Sequence, residues 1–290
     1  MIDLKQLVAA GVHFGHKKSR WHPKMKPYIW GVRSGTHLIN VAKTAHQLEQ
    51  AAKFLEEIAA QGKTIFWVGT KKQAQPIVAQ AATALKSPFV THRWIGGTFT
   101  NFTQVKKSIT KLLHLEDVLQ KSDPAQSHYT KKELVSLSKV VERLGKNVSS
   151  IRGMIWPIGA VVIVDVKKEQ TALKEAIAMG IPVVGIVDTN TDPSSVDYVI
   201  PANDDAPKSI AFLVDFLAQA VAEGKKRATE RPQEQIEAEQ NAAVEVSSFS
   251  NDEESDASKR QKKGKGVREV AARPRRGGSS GAQGGPRRRA

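Results

Sequence analysis

The sequence has no cysteine among its 290 residues. Disulfide bonds, thiolate zinc sites and cysteine nucleophiles are therefore excluded, which fits a reducing compartment. No run of 18 or more apolar residues occurs, so we expect no membrane-spanning helix. The first 15 residues lack the basic start and apolar block of a signal peptide, and they are not an Arg- and Ser-rich transit peptide. These absences predict a cytoplasmic protein.

Acidic residues are missing from one long stretch, since none occurs between Asp3 and Glu49. Inside it lies the basic segment, residues 13–40, which combines six Lys and Arg residues with four aromatic rings. Pro23 and Pro27 exclude a continuous helix, and no helix or strand period organises the segment. Cations interleaved with flat rings suit a phosphate backbone with exposed bases. The alternative is a solvated loop whose rings plug into the domain, although such a loop would usually carry some acids.

Positive charge is in excess along the whole chain, with 44 basic and 29 acidic residues and a net charge of +15. The first 224 residues hold 28 basic and 19 acidic residues, so the folded part is basic by itself. This surplus indicates a polyanionic partner. Residues 225–290 are first acidic and then rich in Arg, Gly and Ser, which predicts a disordered tail. Its basic end could hold phosphates or serve only solubility.

Short apolar runs alternate with amphipathic stretches along the first 224 residues. The predicted strands are 37–40, 64–68, 89–92, 161–164, 183–187 and 198–200. The predicted helices include 3–10, 44–60, 168–179 and 207–223. Apolar, β-branched strands that alternate with helices are typical of an α/β domain whose parallel sheet is covered by helices on both faces.

Two long helices interrupt this alternation. Apolar residues at heptad-like spacing run through 105–119 and 134–148, and a turn at 122–124 lies between them. Thr130 and Glu133 have the spacing of a capping box. We therefore expect an antiparallel coiled-coil hairpin inserted into the α/β domain. The expected division is 1–103 for the first part of the α/β domain, 104–148 for the hairpin, 149–224 for the second part and 225–290 for the tail.

A phosphate-binding loop is suggested by Gly69-Thr70-Lys71-Lys72, which stands between a buried strand and a helix. Neither G-x-x-x-x-G-K-[ST] nor G-x-G-x-x-G is present, so we interpret Lys71 and Lys72 as contacts to nucleic-acid phosphates. Asp188 follows a buried strand and could hold magnesium or act as a catalytic carboxylate, but turn chemistry explains it equally well. A phosphate-binding enzyme that uses Lys71, Lys72 and Asp188 is the alternative function.

Other possible sites are weaker. His13, His16 and His22 lack a standard metal-ligand spacing, and residues 202–207 have the form of a helix cap. No G-x-S-x-G motif occurs. We therefore predict no metal, no cofactor and no catalytic site. The turn at 93–97 joins Arg93 and Trp94 to a glycine pair that allows close approach of either a neighbouring loop or RNA.

Seven blocks of sequence resemble one known family, the bacterial form of the second protein of the small ribosomal subunit. They are GVHFGH (11–16), RWHPKMKPYIWG (20–31), VGTKKQA (68–74), HRWIGGTFTN (92–101), TKKE (130–133), GIPVVGIVDTNTDP (180–193) and VDYVIPANDDA (196–206). The similarity runs from about residue 7 to residue 223. The chain departs from the family pattern at 149–159, where Ser149-Ser150-Ile151-Arg152 and Pro157-Ile158 replace a glycine pair and acidic motifs.

This resemblance implies a flavodoxin-like sheet with an inserted coiled-coil hairpin and a non-catalytic role. It also implies binding of small-subunit ribosomal RNA at the head–body junction, near the messenger RNA exit. Neighbouring ribosomal proteins are the expected protein partners, and the family helps to recruit the large first protein of the subunit in some bacteria. A protein–protein adaptor that works through the hairpin is a third possible function.

The residues expected to meet RNA fall into three groups. Those in the basic segment that would neutralise phosphates are Lys17, Lys18, Arg20, Lys24, Lys26 and Arg33, and Trp21 and Tyr28 would stack or pack against the RNA. A second group consists of Lys71, Lys72 and Arg93. Lys106 and Lys107, at the base of the predicted hairpin, form the third group.

Overall fold

The computed structural model describes residues 2–121 and 129–230, which form eight β-strands and seven α-helices. The strands are β1 Phe14–Lys17, β2 Ile29–Arg33, β3 Thr36–Ile39, β4 Thr64–Val68, β5 Phe89–Val90, β6 Ile158–Val164, β7 Val183–Val187 and β8 Tyr198–Pro201. The helices are α1 Leu4–Ala9, α2 Val41–Ala60, α3 Gln75–Ala84, α4 Phe102–Lys121, α5 Lys131–Val148, α6 Gln170–Ala178 and α7 Pro207–Glu230. None of these helices combines the length and the apolarity that crossing a bilayer requires.

A five-stranded parallel sheet forms the centre of the domain, in the order β5-β4-β6-β7-β8. Numbered as the chain enters this sheet, the order is 2-1-3-4-5, which is the flavodoxin-like arrangement. Every residue of β6 and β7 is buried. Because helices cover both faces of a parallel sheet, both sides of its inner strands are buried. Such strands therefore consist of continuous apolar runs. The predicted fold class is confirmed.

The sheet separates two hydrophobic cores. Ile65 and Trp67 of β4 pack into a core that is completed by α2, α3 and α7. Phe66 and Val68, which alternate with them, pack into a second core with α4 and α6. Successive side chains of a strand point to opposite faces, so one strand supplies both cores. Burying each large apolar side chain contributes about 1.5–3 kcal/mol to stability.

The basic segment is more regular than its sequence predicted. It forms a separate antiparallel sheet in the order β1-β3-β2, together with short 3-10 helices at Lys18–Arg20 and Pro23–Tyr28. Ser34 and Gly35, with φ angles of 51° and 76°, form the two-residue turn between β2 and β3. Positive φ at both central positions gives the twist that a tight hairpin needs. The expectation of an irregular segment was wrong, and the strand predicted at 37–40 belongs to this second sheet.

The two helices predicted as a hairpin lie between β5 and β6 in the chain and pack against each other. Val105, Ile109 and Leu112 of α4 are buried in the second core. Thr130 and Glu133 form the predicted capping box at the start of α5. The predicted turn at 122–124 lies outside the described residues. The coiled-coil geometry itself stays a prediction.

The closing helix α7 is longer than predicted. It was expected to end at Glu223, but it continues to Glu230. Lys225 Nζ donates hydrogen bonds to the Leu85 carbonyl and to Ser87 Oγ, and Arg227 forms an ion pair with Glu56 of α2. These contacts lie within the stretch 225–230, six residues whose composition alone suggested a tail. The remainder of the predicted tail, from residue 231, lies outside the described residues.

The loop at 149–159, where the sequence departs from the family pattern, is used mainly for packing. Ile151 and Met154 are buried in the second core. Arg152 forms an ion pair with Glu116 of α4. Ile155 is 71% exposed, so the added apolar character is only partly covered.

Gly224 provides a test of the packing between α7 and α2, because a Cβ atom there would overlap the backbone carbonyl oxygen of Glu56. We expect Gly224→Ala to lower the free energy of unfolding by about 1–3 kcal/mol, since the backbone cannot yield as a side chain can. Gly145→Ala in α5 is the matched control. A Cβ there meets no atom within 4 Å, so the better helix propensity of alanine should raise stability by up to about 1 kcal/mol. Urea unfolding measures both, and a shift of both variants in the same direction would contradict this packing.

Candidate nucleic-acid interface

The basic segment is attached to the carboxyl edge of the central sheet at Thr189, two residues after the end of β7. The His16 N–H donates to Thr189 Oγ1 at 2.9 Å, and the His22 N–H donates to the Thr189 carbonyl at 2.7 Å. Just before the first of these bonds the chain passes so close that a Cβ on Gly15 would collide with the Thr189 side chain. Met25 is fully buried in the second core. The segment is therefore a supported surface rather than a free loop.

The loop after β8 binds the two residues that precede the basic segment. The Asn203 N–H donates to the Val12 carbonyl at 3.1 Å, and its side-chain amide donates to the Gly11 carbonyl at 3.1 Å. Asn203 Oδ1 also accepts hydrogen bonds from the Asp205 and Ala206 N–H groups, as the helix-cap interpretation of 202–207 predicted. One asparagine thus joins the start of α7 to the approach of the basic segment.

The small antiparallel sheet gathers three of the predicted RNA-binding cations. Lys17 of β1 and Arg33 of β2 both stand opposite Thr36 of the central strand β3. Neighbouring strands are about 4.8 Å apart, so these two positions are separated by about 10 Å. The Lys18 N–H donates to the Gly35 carbonyl at the same end of the sheet. All three cations are exposed.

The remaining cations of the segment are exposed on its short 3-10 helices. Arg20 ends the first, and Lys24 and Lys26 lie on the second. Lys24 Nζ is 2.8 Å from Asp192 Oδ2, and this ion pair is open to solvent on both sides. The hydrogen bond from Lys24, followed by bonds from Ser194, holds the pKa of Asp192 well below its usual range. A phosphate would have to compete with Asp192 for Lys24.

The predicted stacking rings are partly used inside the protein. Trp21 lies over the buried His37, with ring centroids 5.2 Å apart, and Tyr28 packs against the second core. The most accessible ring of the segment is Trp30, which is 75% exposed on β2. Side chains alternate between the two faces of a strand, so the exposure of Trp30 between Ile29 and Gly31 could have been predicted if residues 29–33 had been recognised as a strand.

Lys71 lies among carboxylates instead of facing solvent. Its Nζ is 2.6 Å from Asp205, 2.8 Å from Asp204 and 3.5 Å from Asp165, and only 14% of its side chain is exposed. Burial alone would lower the pKa of Lys71, but its hydrogen bonds to Asp204 and Asp205 outweigh this and raise it. We therefore leave Lys71 out of the proposed surface. Lys72, its neighbour, is exposed.

His16 lies next to the same carboxylates. Its Nδ1 is 3.0 Å from Asp188 Oδ2, and its Nε2 is 3.4 Å from Asp205 Oδ2. The hydrogen bond to Asp188 raises the pKa of His16 despite its partial burial. Burial, followed by the negative charges of Asp188 and Asp165, raises the pKa of Asp204 to about 7. Negative charge is thus concentrated at this edge and is only partly balanced by Lys71 and His16.

A divalent cation would fit the chemistry of this cluster. The possible ligand atoms of His16, Asp188, Asp204 and Asp205 lie within 4.8 Å of one another. One imidazole nitrogen with carboxylate oxygens is a common donor set for such ions. The spacing of the histidines in the sequence did not indicate this cluster, because its carboxylates come from the loops that follow β7 and β8, far along the chain. Adjacent parallel strands end at the same edge, and that rule could have suggested the convergence.

The loop that carries Arg93 is fixed by one buried acid, Glu175 of α6. Its carboxylate accepts hydrogen bonds from Trp94 Nε1 at 3.0 Å, the Gly97 N–H at 2.8 Å and the Phe99 N–H at 3.0 Å. Trp94 is consequently buried against Phe99. Arg93 remains exposed, as do Lys106 and Lys107 on the following helix. Within the described residues, no hydrogen bond or ion pair joins the side chains of these three cations to the basic segment.

Lys71 and Lys72 form a natural pair for testing this arrangement. We expect Lys71→Met to lower the free energy of unfolding by about 3 kcal/mol, because it leaves Asp204 and Asp165 without their cation. Lys72→Met should change stability by less than about 0.5 kcal/mol, since Lys72 is exposed. Urea denaturation measures both. A stable Lys71→Met variant with weakened binding to RNA would return Lys71 to the interface.

Comparison with known proteins gives a consistent assignment. A family model described as ribosomal protein S2 matches residues 7–224. A small ribosomal subunit protein uS2 from Micrococcus luteus is 45% identical over 224 residues, which cover 77% of this chain and 78% of that protein. A small ribosomal subunit protein uS2 from Flavobacterium johnsoniae is 45% identical over 223 residues, covering 77% and 87%. The chain therefore belongs to the ribosomal protein S2 family.

Proposed function

We propose that this protein binds small-subunit ribosomal RNA through its basic segment, residues 13–40. Its family consists of ribosomal proteins, so the chain has a structural role in the small subunit and is not an enzyme. The proposal adds which surface meets the RNA and by what force. Attraction between fixed cations and phosphates is sufficient for that task.

The contrast between exposed and internal cations carries the proposal. The exposed cations of the segment that pair with no acid of the described residues are Lys17, Lys18, Arg20, Lys26 and Arg33. Lys71, by contrast, is balanced by three carboxylates within the protein. Positive charge left unbalanced on a rigid surface favours a polyanion, because each phosphate that it neutralises releases condensed counterions.

The other exposed groups extend this surface in the proposal. Trp30 presents the most accessible ring of the segment, and stacking on an unpaired base is the use that such a ring has in RNA recognition. Trp21 packs on His37 and Tyr28 packs against the second core, so both rings help to fix the segment on the domain. Lys72, Arg93, Lys106 and Lys107 are exposed cations elsewhere on the domain, and we propose that they make secondary contacts with phosphates.

The position in the subunit and the protein partners rest on the family resemblance. It supports a site at the head–body junction, near the messenger RNA exit. It also supports contacts with neighbouring small-subunit proteins and recruitment of the first small-subunit protein.

A phosphate-binding enzyme that uses Lys71, Lys72 and Asp188 has less support. A substrate phosphate would have to displace Asp204 and Asp205 from Lys71, and both lie closer than 3 Å.

Neutralising three converging cations tests the proposal. We expect Lys17→Gln, Lys18→Gln and Arg33→Gln together to reduce the salt dependence of binding to small subunits stripped of this protein. The slope of log Kd against log salt should fall by about two to three units, since each phosphate contact contributes about 0.7–0.9. The thermal midpoint should stay unchanged, because the three side chains are exposed and none forms an ion pair with another residue that the structure describes.

The matched control removes the same charge elsewhere, with Lys5→Gln, Lys53→Gln and Lys208→Gln on α1, α2 and α7. These three lysines are exposed and form no ion pair within the described part of the chain. The control should retain the full slope. If both triple variants lose slope equally, binding responds to net charge and the proposed surface is wrong.

A further inference from the structure

A cavity of about 450 Å³ lies between α6 and the loop that follows β7. One wall is a single face of α6, because Gln170, Leu173, Lys174 and Ile177 follow the i, i+3, i+4, i+7 spacing of a helix. Leu173 is buried, as is Val166 beside it, so the bottom of the cavity is apolar. The volume is within the range of sites that enclose small organic groups.

The opposite wall connects the cavity to the basic segment. It includes His22, Asn190 and Thr191. His22 belongs to the segment, and its N–H is bonded to the Thr189 carbonyl at 2.7 Å. The cavity therefore opens beside the surface proposed to meet RNA.

The polar groups around the cavity include several that the protein itself does not use. Gln170 makes no side-chain hydrogen bond to the described residues, and Lys167 and Lys174 make no ion pair with them. The one acid of the lining, Asp192, is already paired with Lys24. Ile177 is 51% exposed. The cavity thus combines an apolar bottom with one amide and two cations that have no such partner among the described residues.

We propose that this cavity receives one unpaired nucleotide of the small-subunit ribosomal RNA. Leu173 and Ile177 provide an apolar surface for the face of the base, and the Gln170 amide can both donate to and accept from its edge. Lys167 and Lys174 neutralise the adjoining phosphate. This inference rests on the proposed function, because the RNA must follow the basic segment to reach His22. The cationic rim favours a nucleotide over an apolar side chain of another protein.

The test separates base contacts from phosphate contacts by their response to salt. We expect Gln170→Ala with Ile177→Ala to weaken binding to stripped small subunits about fivefold to tenfold when the data are extrapolated to 1 M salt. The slope against salt should not change, since neither residue carries charge. Both side chains are exposed, so the thermal midpoint should stay the same. Gln73→Ala with Ile155→Ala is the matched control, because both residues are exposed outside the cavity.

Photocrosslinking identifies the occupant directly. Small subunits that carry 4-thiouridine in their RNA should form a crosslink to the peptide that contains residues 167–177. An unchanged intercept at 1 M salt, or 4-thiouridine crosslinks that join the RNA only to peptides outside residues 167–177, would overturn the nucleotide assignment. Those outcomes leave the basic segment untouched, whereas failure of the proposed function appears as an unchanged slope in the Lys17, Lys18 and Arg33 variant.

Discussion

The attachment of the basic segment to Thr189 is the contact on which the functional surface depends. A chain with six cations and no acids would repel itself and remain extended if it were free. Here the backbone of His16 and His22 is bonded to Thr189, and Gly15, just before His16, allows the chain to approach the Thr189 side chain closely. Met25 adds a buried apolar anchor. The cations are therefore ordered before RNA arrives, so less conformational entropy is lost on binding.

Charge is sorted by depth at this end of the sheet. The acids that directly follow β6 and β7, and Asp204 after β8, lie mostly inside, where they hold Lys71 and His16, whereas Asp205 beside them is 57% exposed. The cations of the antiparallel sheet lie outside and have no such partners. An acid at the surface would repel phosphates, whereas an acid beneath it can stabilise the fold and attach the segment. A basic protein can in this way keep a concentrated acidic cluster close to the face that we propose binds RNA.

Much of the layered fold could be predicted from the sequence, because apolar runs such as 161–164 and 183–187 suit only strands that are covered on both faces. The antiparallel sheet was missed because its local signal is a single two-residue turn at Ser34. The acidic cluster was missed because its side chains are distant in the chain, although the shared edge of β7 and β8 could have suggested it. The turn that carries Trp94 could have met either RNA or a neighbouring loop, and Glu175, 81 residues away, accepts the Trp94 N–H inside the protein. Long-range partners, which a linear pattern does not contain, decided these points.

Lysine acylation followed by mass spectrometry, on the free protein and on the assembled small subunit, tests the central claim most directly. Lys17, Lys18 and Lys26 should react rapidly in the free protein and become protected in the subunit. Lys71 should react slowly in both states, because its ammonium group is held by carboxylates. Continued reactivity of the three basic-segment lysines in the subunit, with protection instead at Lys53 and Lys208, would show that another face of the domain meets the RNA.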